Sequence, residues 1–293
     1  MKVRLVDGTY ELFRHYFAVP KASVNGREIG ATRGVVRSIV SMLEGGATHV
    51  GVATDHVIES FRNDMFAGYK TGAGIEPELR QQFELLERAI AAIGVTVWPM
   101  IEFEADDALA SAAAIASADD RVDQVLIATP DKDLAQCVVG SRVVQLDRRT
   151  DTIRDEVGVH ERFGVGPASI PDYLALVGDT ADGIPGIPGW GAKGSAAILA
   201  EYRHLEHIPA AAADWSVSVR GAARLADALN ERRDDARLYR SLATLRRDAP
   251  TVSGVDELCW VGPTVDLGAL CAEIAASDVP RRLSAVRPPE SPT

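Results

Sequence analysis

EFEADDALAS, residues 102–111, places Glu102, Glu104, Asp106 and Asp107 within six residues, at the mouth of an alanine-rich run. Four neighbouring carboxylates repel one another, although acids do suit the positive end of a helix dipole. The stretch reads either as a solvated helix start or as ligands gathered for a cation. Its surroundings set the fold. The segment before it, 95–100, is short and apolar, and so are 3–6, 49–54 and 124–128, as buried parallel strands are. Between these lie helical patterns at 33–43, at 77–93 with Leu79, Leu86, Ile90 and Ile93 on one face, and at 105–118. Strand and helix alternate, which predicts an α/β domain with a mainly parallel sheet to about residue 155.

The second half changes character. From residue 169 helices alternate with Gly and Pro loops: IPDYLALVG, then a helix at 192–202, then strongly helical 220–247. A late strand is expected at 257–261. The expected division is a catalytic domain over 1–165, a helical domain over 166–287, and a disordered tail, 288–293.

The chain has 293 residues, 46% hydrophobic and 25% charged, ordinary usage for a soluble globular protein. No apolar run approaches the roughly 20 residues that cross a bilayer, and acids appear too early for a signal peptide. Cys137, Cys259 and Cys271 are too few and scattered for a disulfide framework or a zinc site. A reduced cytoplasmic protein is expected. The net charge of −11, from 42 acids and 31 bases, argues against broad nonspecific nucleic-acid binding. That argument weakens if some acids hold divalent cations.

The acids fall in a pattern. Asp7 ends the first strand, Asp55 the second; Glu104, Asp106 and Asp107 follow the third; Asp131 and Asp133 follow the fourth. Open parallel sheets bind ligands beyond the carboxyl ends of their strands. Singly, Asp7 would serve a turn, Asp106 and Asp107 a helix start, and Asp131 a cap. Together at one edge they would repel strongly unless cations shared them. With no His or Cys among them, hard magnesium or manganese is favoured over zinc. Two such ions about 4 Å apart suit phosphodiester hydrolysis, activating water and stabilising the leaving oxygen. VDGT resembles a phosphatase signature, but Leu5 stands where the nucleophilic aspartate belongs.

GIPGIPGWGAKGSAAIL, residues 183–199, is the other strong feature. The turn Gly189-Trp190-Gly191 opens a helix whose free N–H groups would face a phosphate, with Lys193 and Ser195 adding side-chain contacts. A purely structural turn is the alternative; a P-loop is not, because the GK[ST] ending is missing. A helix–hairpin–helix clamp on a DNA backbone fits better, with Trp190 as a packing residue. Upstream, Asp179 and Asp182 would complete a second metal site or merely form a turn.

In this order, VDGTYELFRHYFA, ATD, SFRNDMFAGYKTG, EFEADDALAS, ATPDKDLAQ and VGDTADGIPGIPGWGAKGSAAIL resemble the 5′-nuclease superfamily, that is, flap endonucleases and the 5′-exonuclease domain of bacterial DNA polymerase I. The resemblance covers residues 3 to about 202, and a stand-alone bacterial enzyme is expected. It implies a PIN-like sheet with a helical arch at about 60–80 and a helix–hairpin–helix at about 170–202. Asp7, Asp55, Glu104 and Asp106 would surround one Mg2+ or Mn2+; Asp107, Asp131, Asp133 and Asp182 would serve another, with Asp179 nearby. Arg62 and Lys70 would contact the scissile phosphate, and Tyr69 would lie against the strand end. The carbonyls of Gly186, Ile187 and Trp190 would hold K+. Two positions depart from the pattern: Ala73 replaces an arginine, and Gly183 an asparagine.

The implied activity is 5′-3′ exonuclease and flap endonuclease cleavage to 5′-phosphate and 3′-hydroxyl ends in replication and repair. Its substrates would be DNA with 5′ flaps or recessed 5′ ends, and RNA–DNA primer junctions. A monomer associated with the nucleoid, without a membrane, is expected. A PIN-type ribonuclease would be much shorter and lack the hairpin. A catalytically silent junction-binding protein would have no need of the acids.

Overall fold

The computed structural model describes residues 1–288; residues 289–293, the end of the expected tail, lie outside it. The described residues form two compact units, each discontinuous in sequence: 1–60 with 72–129 and 246–288, and 61–71 with 130–245.

The first unit opens with β1 (Lys2–Asp7), α1 (Gly8–Ala18), the small hairpin of β2 (Ser23–Val24) and β3 (Arg27–Glu28), α2 (Gly30–Glu44) and β4 (His49–Asp55). The helix α3 (Phe61–Met65) belongs to the second unit. The first unit resumes with α4 (Pro77–Arg80), α5 (Gln82–Ala92), β5 (Thr96–Met100), α6 (Ala105–Ala118) and β6 (Gln124–Ala128). β5, β4, β1 and β6 lie side by side in that order, all parallel. β4, β6 and the end of β1 are buried on both faces, which explains their continuous apolar runs. In register Asp7 lies opposite Ala53, and Asp55 opposite Met100, so both acids sit at the carboxyl edge.

Packing explains the helix choices. α2 turns Val35, Val36, Ile39, Val40 and Leu43 inward, at spacings of one helical face. α6 buries Ala105, Ala108, Ala112, Ala113 and Ala116, small side chains that let it lie close on all four strands. The expected helix 77–93 is interrupted at Gln81, which joins α4 to α5.

The second unit contains a hairpin of β7 (Val143–Asp147) and β8 (Thr152–Arg154), then α7 (Glu156–Phe163), α8 (Ile170–Val177), α9 (Ala192–Tyr202), α10 (Ala222–Glu231) and α11 (Arg233–Ala243). α8 packs against α9 and α11, and Leu174, Leu176, Ile198, Leu199, Tyr239 and Leu242 share one core. α12 (Leu267–Glu273) and α13 (Val279–Ser284) return to the first unit, on α5 and α2. The strand expected at 257–261 is not formed: Val255–Leu258 is a 3-10 turn, and only Cys259 makes an isolated bridge, to His49. Among the described residues, no helix is long and apolar enough to cross a membrane.

Candidate metal centre

At the carboxyl edge of the first unit, Asp7, Asp55 and Glu104 are each fixed by a neighbouring donor. Asp7 caps α1, its Oδ1 accepting from the Tyr10 N–H at 2.8 Å and its Oδ2 from the Thr129 hydroxyl at 3.1 Å. Gly8 must follow it, because a Cβ there would lie 2.7 Å from Thr54 Cγ2 and 2.8 Å from the Ala53 carbonyl. Asp55 accepts from the Ala105 N–H at 2.8 Å, while its own N–H donates to Thr9 Oγ1. Glu104 is buried and accepts from the Ser60 hydroxyl at 2.6 Å. Asp106 is half-buried in the first turn of α6, and Glu102 is exposed.

Asp107 is held by backbone on both sides. It forms a capping box with Glu104, its Oδ2 accepting from the Glu104 N–H at 3.1 Å. Its Oδ1 accepts from the Arg246 N–H at 2.8 Å, and the residue is fully buried. Each oxygen accepts one backbone N–H, so Asp107 also does structural work at the start of α6.

The second unit is organised differently. Asp133, Asp179 and Asp182 bring one carboxylate oxygen each within 4.8 Å of the others. Asp133 opens a 3-10 turn after Lys132, and its N–H donates to Asp131 Oδ1. Asp131 itself is exposed. Asp179 and Asp182 come from the turn after α8, where the Asp179 and Ile184 backbones exchange two hydrogen bonds of 2.8 Å. Lysines flank the group: Lys70 Nζ lies 2.9 Å from Asp182 Oδ1, and Lys132 Nζ 2.7 Å from Asp179 Oδ2.

Burial, and then the carboxylates of Asp131, Asp182 and Asp179, push the Asp133 pKa well above the usual aspartate range; Lys70 opposes this. Asp133 Oδ1 is buried and has no hydrogen-bond partner. Three hard oxygen donors with one orphaned oxygen fit a hard divalent cation.

The segment 60–80, expected to arch, holds α3 and a tightly pinned connection. The Lys70 N–H donates to the Asp182 carbonyl at 3.0 Å, and a Cβ on Gly183 would lie 2.1 Å from the Gly68 carbonyl. With φ at 75° as well, position 183 demands glycine, which explains the departure from asparagine. Further on, Gly72 donates to Glu59 Oε1 and accepts from Arg80.

Two arch residues are buried. Arg62 is 1% exposed, and its guanidinium donates to the carbonyls of Leu242 and Thr244, bracing the end of α11. These two bonds tie it to the backbone at the end of α11. The Tyr69 ring is a core side chain, with Lys70 Nζ 5.6 Å from its centroid, so it offers DNA little surface.

In the glycine-rich loop, Gly189, Gly191 and Lys193 are exposed at the start of α9. Trp190 is buried, its indole N–H donating to the Leu225 carbonyl at 3.0 Å, with Trp215 against its ring, as expected of a packing residue. Ser195 is fully buried, so it cannot present its hydroxyl to a phosphate as expected. Gly186 has φ at 73° and approaches the Gly178 N–H, where a side chain would clash. Sequence reasoning did not single out Thr9, Ser60, Thr129 or Lys132. Ser60 and Thr129 donate from connections remote in sequence, and Thr9 in α1 accepts the N–H of the distant Asp55; Lys132 was visible between two acids, but its partner was not.

Sequence comparison finds the 5′-3′ exonuclease N-terminal, resolvase-like domain over residues 2–164, and the 5′-3′ exonuclease C-terminal SAM fold over 165–266. DNA polymerase I of Pseudomonas aeruginosa is 35% identical over 265 residues, covering 87% of this chain. The chain spans only 28% of that polymerase's length. Among solved structures, a T5 5′-exonuclease with bound divalent metal ions (zinc) has a TM-score of 0.65 at 17% identity, covering 98% of both chains. The catalytic core of Rad2 in complex with a DNA substrate has a TM-score of 0.63 at 13% identity, covering 98% of this chain and 92% of that one. At such identities these structures speak for the fold.

Proposed function

The chain belongs to the 5′-3′ exonuclease family, and from that premise we propose that it is a divalent-metal-dependent nuclease acting on DNA with 5′ flaps or recessed 5′ ends. The observation that carries the reading is the Asp133–Asp179–Asp182 triad with its orphaned buried oxygen. In a medium that excludes water, three carboxylates and an unpaired acceptor are costly without a cation. Asp7, Asp55, Glu104 and Asp106, gathered at one sheet edge, are assigned to a further ion, and Asp131 to the outer side of the triad. A divalent ion, Mg2+ or Mn2+, would supply Lewis-acid stabilisation of phosphoryl oxygens and an activated water.

The protein's own groups do the rest. Lys70, the cation beside Asp182, is assigned to neutralise charge on the transferring phosphoryl group. Arg62 acts through position, holding the end of α11. Exposed Gly189, Gly191 and Lys193 at the α9 N-terminus are assigned to the duplex backbone, with K+ at the carbonyls of Gly186, Ile187 and Trp190. Products would carry 5′-phosphate and 3′-hydroxyl ends, and RNA–DNA primer junctions would be cut as well. The protein would act as a monomer in the cytoplasm, associated with the nucleoid.

Cleavage of a labelled flap DNA in Mn2+ by the parent, Asp133→Asn and Asp182→Asn proteins is the test. Loss of cleavage with retained DNA binding in both variants is expected. Undiminished cleavage by both defeats the metal assignment, and binding without cleavage by the parent favours a silent junction-binding protein.

A further inference from the structure

Lys132 has no role in the chemistry assigned above, yet it grips the triad. Its ammonium lies 2.7 Å from Asp179 Oδ2, and Asp179 is 2% exposed, unlike a carboxylate of an ordinary surface pair. Asp179 cannot turn away: both of its backbone groups bond Ile184, and its Oδ1 accepts from the Ala181 N–H at 3.0 Å. Its two oxygens are therefore taken, one by backbone and one by Lys132. Asp182 likewise gives Oδ1 to Lys70, whereas Asp133 Oδ1 has no partner.

We infer that Lys132 is a positioning residue that fills the Asp179 corner of the metal centre when no cation is bound, and that a divalent ion must displace its ammonium from Asp179 Oδ2 to bind. The inference rests on the metal-centre reading above. Lys132 contributes one of the two positive charges that offset the triad's carboxylates and the neighbouring Asp131. Without it the local set is more negative by one charge, so a divalent ion is attracted more strongly. Lys132 thus holds the ligands in place before metal arrives, at a cost in affinity, and discriminates against monovalent ions, which compete with an ammonium on equal charge.

The test is Mn2+ titration of the full chain, followed by calorimetry and by the EPR signal of free Mn2+. Lys132→Met, which keeps length and loses charge, is expected to bind Mn2+ at the triad about tenfold more tightly than the parent. Lys132→Arg is expected to stay within about twofold of the parent. In Lys132→Met the metal-free melting temperature is expected to fall. Equal or weaker Mn2+ binding by a folded Lys132→Met protein overturns the inference alone. Mn2+ binding by Asp133→Asn equal to the parent's, stoichiometry included, overturns the metal-centre reading and the inference together. A measurement on the parent needs no variant: the Lys132 ammonium NMR resonance is expected to move on saturation with Mg2+, and an unmoved resonance overturns the inference.

Discussion

Two groups of acids, one in each unit, are held by different means. Asp7, Asp55, Glu104 and Asp107 in the first unit are tied by backbone N–H groups and hydroxyls that the fold supplies. Asp179 and Asp182 in the second are paired with lysine ammonium groups, and Asp133 beside them keeps one buried oxygen without a hydrogen-bond partner. Neutral donors allow a carboxylate to be built into a stable fold as a cap or brace. A cluster balanced by movable cations remains under electrostatic tension, and exchange of those cations relieves it. The first group is therefore held in place by the fold itself, whereas the second is balanced by side chains that can move.

The largest effect expected from breaking the second arrangement is in Asp133→Asn. Flap cleavage should fall at least about 100-fold, while the chelated protein melts higher than the parent because a buried charge is gone. The sign follows from linkage. A raised folded-state pKa means that the folded state binds more protons, so the residue's contribution to stability declines as pH rises above the usual aspartate value of 3.8. Chelated parent protein should lose part of its stability over that rise, and Asp133→Asn should lose less; melting curves across pH check this.

Next is the response to metal. Saturating Mg2+, at about 100 times its dissociation constant, should stabilise the parent by about 2.7 kcal/mol, and Asp133→Asn by much less. Thermal melts with and without chelator decide it. Equal stabilisation of both proteins would place the responsive ion elsewhere.

The first arrangement breaks in the opposite sense. Asp107→Asn leaves one of two buried N–H groups without its acceptor and should cost about 1–3 kcal/mol by denaturant unfolding, with Mn2+ affinity retained. Loss of Mn2+ binding without loss of stability would place Asp107 among the ligands. Smallest is Thr129→Val, which removes the hydroxyl from Asp7 and should cost about 1 kcal/mol, with a modest fall in cleavage rate.

The parallel sheet was legible because buried strands carry unbroken apolar runs, and each was ended or followed within a few residues by an acid. The hairpin Trp190 was legible because glycines on either side leave a large ring nothing to do but pack. The arch was less so: Arg62 and Tyr69 sit among motif residues, but their burial depends on α11 and the core of the second unit, remote in sequence. Asp107 could not be separated from Asp106 by spacing, since its second partner is the N–H of Arg246, 139 residues away. The small β7–β8 hairpin was missed because three residues of β8 carry no period. The 3-10 turn at Val255–Leu258 shows the converse, a short apolar pattern without a ladder to extend it.

Anomalous scattering from crystals grown with Mn2+ tests the central claim most directly. A peak bounded by the carboxylates of Asp133, Asp179 and Asp182, with the Lys132 ammonium withdrawn from Asp179, is the predicted result. A well-ordered triad that carries no peak at saturating Mn2+, with both lysine contacts intact, would contradict it.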